Sequence, residues 1–121
     1  MEKDFYQISS KQGFMKHNGG LWFRDISKNE YQFKTVIDEN HLNAAGITHG
    51  GFIASIIDAG AGTAAHKASE QRSCVTISLD IKFIKATSLK DEVIGFVKIQ
   101  KITKTMVFLI CHLECNENLI A

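Results

Sequence analysis

The stretch Asn43-Ala44-Ala45-Gly46-Ile47-Thr48-His49-Gly50-Gly51-Phe52-Ile53-Ala54-Ser55-Ile56-Ile57-Asp58 carries one carboxylate into an otherwise uncharged, helix-like run. From Gly46 through His66, Asp58 is the only formally charged side chain. An ionised carboxylate in apolar surroundings is costly unless it is paired, hydrogen-bonded or neutralised, so its placement asks for a partner or a task. Asp58 is a candidate general base.

Residues three and four apart are neighbours on a helix surface. Asp58 is thereby flanked by Ala54, Ser55, Ala61 and Gly62, all small, which leaves a trough beside the carboxylate for another molecule or chain. Phe52, Ile53, Ile56 and Ile57 supply bulk for a core. Gly50 and Gly51 follow His49 where the helix should begin, so their N–H groups would point outward, unpaired, at the positive end of the helix dipole. Such a terminus binds a negative oxygen. The helix is predicted over residues 50–68 and is apolar on nearly every side, so it should be enclosed. Each interior glycine in Ala59-Gly60-Ala61-Gly62 costs about 0.5 to 1 kcal/mol relative to alanine, which close approach of another backbone would offset. The pair Gly60 and Gly62 does not read as a dinucleotide loop, because it lies inside the helix rather than after a strand.

Working outward, Asp4 is expected to cap a short helix through about residue 15, with Phe5 and Ile8 on one side. His17-Asn18-Gly19-Gly20 is a turn signal, followed by a strand over residues 21–26, a turn, and a second strand over residues 31–37. These two form a hairpin. Beyond the helix, Ile77, Leu79, Ile81 and Phe83 alternate strictly with Thr76, Ser78, Asp80 and Lys82, the pattern of a half-buried strand. Further strands are predicted over residues 92–102 and 106–115, with a turn at Asn116-Glu117-Asn118 leading into Leu119-Ile120-Ala121. One long helix wrapped by a curved antiparallel sheet, an α+β fold, is the simplest arrangement of these parts.

At 121 residues and 45% hydrophobic content, residues 1–121 should form one domain with a real core. A formal net charge of +1 gives no support to nucleic-acid or membrane binding driven by charge. No apolar run reaches the length of a signal peptide or a bilayer span, so a cytoplasmic location is expected. Cys74, Cys111 and Cys115 are odd in number and lack Cys-x-x-Cys spacing, so they read as ordinary buried thiols. The histidines lack ligand spacing, and no metal is assigned.

The set Asn43, Gly46, His49-Gly50-Gly51 and Asp58 resembles the signature of hotdog-fold acyl-CoA thioesterases of the phenylacetic-acid-degradation (PaaI-like) type, over most of the chain from roughly residue 20. The resemblance implies that Asp58 is base or nucleophile and that the Gly50 N–H polarises the thioester carbonyl. It further implies that Asn43 and His49 position the reacting groups and that Thr76 contacts the water. Gly51 and Ser55 are assigned to substrate binding. Coenzyme A enters as part of the acyl-CoA substrate, and no separate cofactor is expected. Two departures from the family pattern stand out. Relatives commonly continue their last strand beyond the position of Ala121, and they place a proline near Ala86, whereas this sequence has none.

Gly50 and Asp58 lie eight residues apart on one helix, roughly 12 Å along its axis at about 1.5 Å per residue. One thioester cannot touch both. If they share a reaction, one must come from each of two subunits across a two-fold axis, which predicts a homodimer. The resemblance implies the same dimer, and a dimer of dimers is expected. Two other readings compete: a non-catalytic acyl-CoA-binding or regulatory hotdog module, and a hotdog enoyl-CoA hydratase or dehydratase. Asp58 as a structural carboxylate, Asn43 as a turn closer and Thr76 as a solvent-side strand residue are the bland alternatives. Lys82, Lys85, Lys98, Lys101 and Lys104 fit CoA phosphates, although strand-edge lysines more often keep sheets soluble.

Overall fold

The computed structural model describes residues 4–121. Its order is β1 (Tyr6–Ile8), α1 (Phe14–His17), β2 (Leu21–Asp25), β3 (Glu30–Val36), a single 3-10 turn (Glu39–His41), α2 (Gly50–Ala68), β4 (Glu92–Ile102), β5 (Val107–Cys115) and β6 (Asn118–Leu119). The six strands form one antiparallel sheet in sequence order, and α2 packs across β2, β3, β4 and β5. The α+β architecture is the expected one.

Period-two alternation explains the sheet's covered face. Leu21, Phe23, Tyr31, Phe33, Val93, Val97 and Leu113 point at α2 and are buried with Phe52, Ile53, Ile56 and Ile57 from the helix. The Phe33 ring lies at the centre of that contact. A Cβ at either Gly60 on α2 or Gly95 on β4 would fall inside the ring's van der Waals envelope. Gly60 therefore exists to admit an aromatic ring. The close approach of another backbone that the sequence suggested is not its cause, and Gly62, with nothing near its Cα hydrogen, faces open space.

Two expectations are overturned. Residues 4–15 do not form a capped helix: Tyr6–Ile8 pairs with β2, and only Phe14–His17 is helical. Charge and ring contacts decide this. Asp4 receives both its carboxylate contacts from Arg24 Nη1 at 3.0 Å, and Phe5 is buried between the Arg24 and Lys34 cations at 4.5 and 4.4 Å. Tyr6 turns the other way, edge-on to Phe23, and donates to Asp25 at 2.7 Å. Phe5 and Ile8 thus obey strand geometry, not a helix face.

The second overturned expectation is the pairing of residues 76–83. The segment is extended as its alternation predicts, but no backbone group between residues 73 and 83 bonds to another described residue. Val75 and Ile77 remain 89% and 75% exposed, and only Ile81 packs against the core. Pairing starts at the segment's end, where Ile84 N–H and Lys85 N–H donate to Ile120 O at 2.8 and 3.1 Å.

Candidate active site

The start of α2 is set by the loop before it. Asp38 caps the 3-10 turn by accepting from Asn40 N–H at 2.8 Å, while its own N–H donates to His41 Nδ1 at 3.0 Å. With Nδ1 accepting, the proton sits on Nε2, which donates to Asn18 O at 2.7 Å. His41 is 2% exposed, and its ring stacks on Phe52 at 3.6 Å between centroids. Its carbonyl accepts from His49 N–H at 2.8 Å. Thr48 and Thr87 add a second clamp: the Thr48 hydroxyl donates to Thr87 O at 3.1 Å and accepts from the Thr87 hydroxyl at 2.8 Å.

Asn43 closes the turn within this loop, its Oδ1 accepting from Ala45 N–H at 2.9 Å and Ile47 N–H at 3.3 Å. Its Nδ2 makes no bond to a described residue. Gly46 supplies the positive φ of +81° that the turn requires. His49 is the N-cap, and its Nδ1 accepts from Gly51 N–H at 2.8 Å. Of the two glycine N–H groups expected to be unpaired, Gly51 is therefore already engaged, and Gly50 has no acceptor among the described residues. The Phe83 ring lies over Gly50, its Cε1 at 3.5 Å from where a Cβ would stand.

Two turns further along, Asp58 is exposed. The apolar enclosure expected for it is absent from the protomer, because Ile53, Ile56 and Ile57 turn into the core while Ala54, Ser55, Ala61 and Gly62 are too small to cover it. Its Oδ1 accepts from the Thr76 hydroxyl. Ser55 donates to Gly51 O at 2.7 Å, back along the helix. A groove of about 870 Å³ opens beside Asp58 and Thr76, floored by Ile57, Ala61 and Ala65.

The protomer thus joins Asp58 to Thr76 at one end and His49, Gly50 and Asn43 at the other. It does not join the two groups. Residues 73–83 run between them, carrying Thr76 to Asp58 and Phe83 to Gly50. Three contributors escaped sequence reasoning: His41, the Thr48–Thr87 pair and Phe83. The capping spacing from Asp38 to His41 was a usable signal for the first; long-range partners such as Thr87 leave none.

Of the thiols, Cys115 is buried and Cys111 half-buried, while Cys74 is exposed, contrary to expectation. Burial pushes the Cys111 thiol up to about 12. Among the described residues, no three histidine, cysteine or acidic side chains converge as metal ligands, and no helix is long and apolar enough to cross a membrane.

The Thioesterase superfamily model matches residues 45–120, which span α2, the Asp58–Thr76 pair and β4 to β6. The chain belongs to the thioesterase superfamily. It is 30% identical over 104 residues to "Putative esterase PA0474" of Pseudomonas aeruginosa, covering 85% of this chain and 78% of that one. Its fold is the hotdog fold of solved thioesterases. Zebrafish thioesterase superfamily member 2 superposes with a TM-score of 0.83 at 19% identity, covering 93% of this chain and 83% of that chain. The PaaI protein of the E. coli phenylacetic acid degradation operon gives 0.75 at 14% identity, covering 83% and 72%. A Streptococcus pneumoniae hypothetical thioesterase solved with coenzyme A gives 0.72 at 16%, covering 84% and 82%. The PaaI-like assignment made from the residue pattern agrees with these likenesses.

Proposed function

We propose that this thioesterase-superfamily chain hydrolyses small acyl- or aryl-acyl-CoA thioesters at two equivalent sites, each shared between the protomers of a homodimer. The carrying observation is the pair of incomplete half-sites on one helix: an unbonded Gly50 N–H and, two turns away, an open carboxylate held by Thr76. A coenzyme A complex of a similarly folded protein supports the substrate class.

In this reading the thioester carbonyl accepts from Gly50 N–H, where the positive end of α2 stabilises the negative oxygen that develops in the tetrahedral intermediate. Asp58 of the other protomer takes a proton from the attacking water, or attacks the carbonyl itself to give an anhydride that water cleaves. On either route the tetrahedral intermediate collapses by breaking the C–S bond, and the thiolate of coenzyme A leaves and is protonated; on the nucleophilic route this loss forms the anhydride, which water cleaves afterwards. Thr76 holds the Asp58 carboxylate by its hydroxyl. His49 orients the turn by capping, Asn43 fixes the loop with its carbonyl oxygen and offers its free NH2 to substrate or water, and Gly51 and Ser55 line the approach. Unpaired residues 73–83 supply the edge for the two-fold contact, since an extended strand with free N–H and C=O groups is a template for pairing with its own copy.

The outer β4–β5 face, where Phe96 stacks on His112 beside exposed Ile110, suits the pairing of two dimers. Three free cysteines fit a reducing compartment, and we place the protein in the cytoplasm.

The test is release of free coenzyme A thiol from a panel running from acetyl- to phenylacetyl-CoA. Asp58→Asn should lower kcat roughly 10²- to 10⁴-fold while the dimer persists by sedimentation. Binding of acyl-CoA without turnover by the unaltered chain would replace this reading with that of a binding module.

A further inference from the structure

We propose that Gly50 and the Phe83 ring bound a slot one methyl group thick, which takes the carbon next to the thioester carbonyl and rejects branching there. That rule rests on the thioester reading above and narrows its substrate class to acyl groups whose first carbon is unbranched.

Nothing inside the protomer requires a glycine at position 50. Elsewhere in α2, Gly60 admits the Phe33 ring, and a Cβ at Gly51 would fall 2.9 Å from the capping nitrogen of His49. Gly50 differs from both. Its φ is not positive, and a Cβ there would lie 3.5 and 3.7 Å from Cε1 and Cζ of Phe83, an ordinary contact. Backbone and packing alike accept alanine, which suits a helix better than glycine does. The absent methyl leaves a space closed on one side by the helix backbone and on the other by the Phe83 ring, and a single carbon fills it.

This space lies beside the Gly50 N–H, which has no acceptor among the described residues. A carbonyl oxygen bound there sits about 2.9 Å from the nitrogen, with its carbon one bond further out. Two atoms flank that carbon, and one of them faces the ring. The sulfur leads into the amides of the pantetheine arm, which need polar partners that an aromatic ring does not offer. The first carbon of the acyl group is apolar and matches the ring, so it takes the slot. A CH2 passes, whereas a further substituent on it meets Phe83.

Wall and donor are fixed to one frame. Ile84 N–H, next along from Phe83, donates to Ile120 O at 2.8 Å. Thr48, two residues before Gly50, donates its N–H and its hydroxyl to Thr87 O at 2.9 and 3.1 Å. The fold, not the ligand, therefore sets the width of the slot. Phe83 is 60% exposed, so trimming its ring removes little core. Only its side chain forms the wall, which leaves the backbone edge of the segment for the two-fold contact.

The experiment compares propanoyl-CoA with 2-methylpropanoyl-CoA, which differ by one methyl on the first carbon. In the unaltered chain kcat/KM should favour the linear ester about tenfold or more. Phe83→Ala should bring that ratio to within about threefold of unity, and Phe83→Leu should fall between. Gly50→Ala keeps the N–H but fills the slot, so kcat/KM should drop about tenfold or more even for propanoyl-CoA, and adding Phe83→Ala should recover much of the loss. A ratio between two substrates does not depend on how much of the protein is folded, so a merely structural ring would not move it. Calorimetric titration of Asp58→Asn with the same pair reads the slot without turnover, and Kd should show the same preference. Preference in binding with no cleavage by the unaltered chain would overturn the thioester reading and leave the slot standing. Cleavage with a ratio near one, or with a ratio that Phe83→Ala leaves unchanged, would overturn the slot and leave the thioester reading standing. Neither cleavage nor preference would overturn both.

Discussion

Mixing two inactive variants asks directly whether the catalytic groups come from different protomers. Asp58→Asn removes the base and keeps its shape. Gly50→Pro removes the one N–H that matters, at a helix position where proline is tolerated because that N–H has no intrahelical acceptor. His49 has φ −65° and ψ 132°, the extended conformation that a residue preceding proline adopts. The Phe83 ring stands at an ordinary contact distance of 3.5 Å from a Cβ there, so the Cβ that the substitution adds meets no clash.

Each homodimer should be nearly inactive, because loss of an oxyanion donor costs roughly 10²- to 10³-fold in kcat and loss of the base at least as much. The helix rise separates the two groups by about 12 Å, whereas a carbonyl oxygen and the water attacking its carbon are on the order of 3 Å apart. If the site bridges protomers, a heterodimer gathers both substitutions into one site and leaves the other intact. Refolding an equal mixture makes heterodimers about half of the population, each with one working site of two, so about a quarter of the original rate should return. The assay is thiol release before and after co-refolding, with sedimentation to verify dimers. Recovery of none of the rate, with heterodimers demonstrably present, would refute the shared site.

Other consequences are local. Gly60→Ala or Gly95→Ala should each cost roughly 1 to 3 kcal/mol by urea unfolding, since the new Cβ meets the Phe33 ring, and Phe33→Leu should lessen the loss in either background; simple additivity would contradict this packing. His41→Leu leaves Asp38 N–H and Asn18 O without their partners at part-buried positions, at about 1 kcal/mol for each, and exchange of the amides of residues 49–53 should accelerate; unchanged exchange there would show that His41 does not hold the helix start. At pH 8 a maleimide should label exposed Cys74 and spare Cys111, whose thiol is held up to about 12 by burial. Because its folded value lies above the ordinary 9, that thiol's contribution to stability is intact below pH 9 and declines as pH rises from there toward 12, which alkaline unfolding curves of Cys111→Ala should lack.

Much of this architecture was legible in the residues. The bounds of α2 and β4 follow from apolar periodicity and punctuation, and the hairpin of β2 and β3 from alternation between turn signals. What failed was anything that depends on a distant partner. Residues 4–15 hold an amphipathic signal too short to separate a strand from a helix, and the decision was made by Arg24 and Lys34 clasping Phe5 from across the sheet. Alternation in residues 76–83 stated that the segment is extended and two-faced; it carries no information about which edge it pairs with. Gly60 announced a close approach without naming the ring that makes it.

Asp58 is the most instructive case. Its isolation among apolar residues suggested burial, but the small neighbours that make it look stranded are the same residues that fail to cover it. Isolation in sequence and exposure in the protomer are reconciled by one feature, a helix face of Ala54, Ser55, Ala61 and Gly62 that is uncharged without being bulky. Such a face is stable in water only at modest cost, because each residue exposes little area. It leaves room for a substrate and a second chain to approach the carboxylate together. The larger isoleucines at these positions would bury Asp58 and close that approach, so the composition of the face sets access to the site as much as the acid itself sets its chemistry.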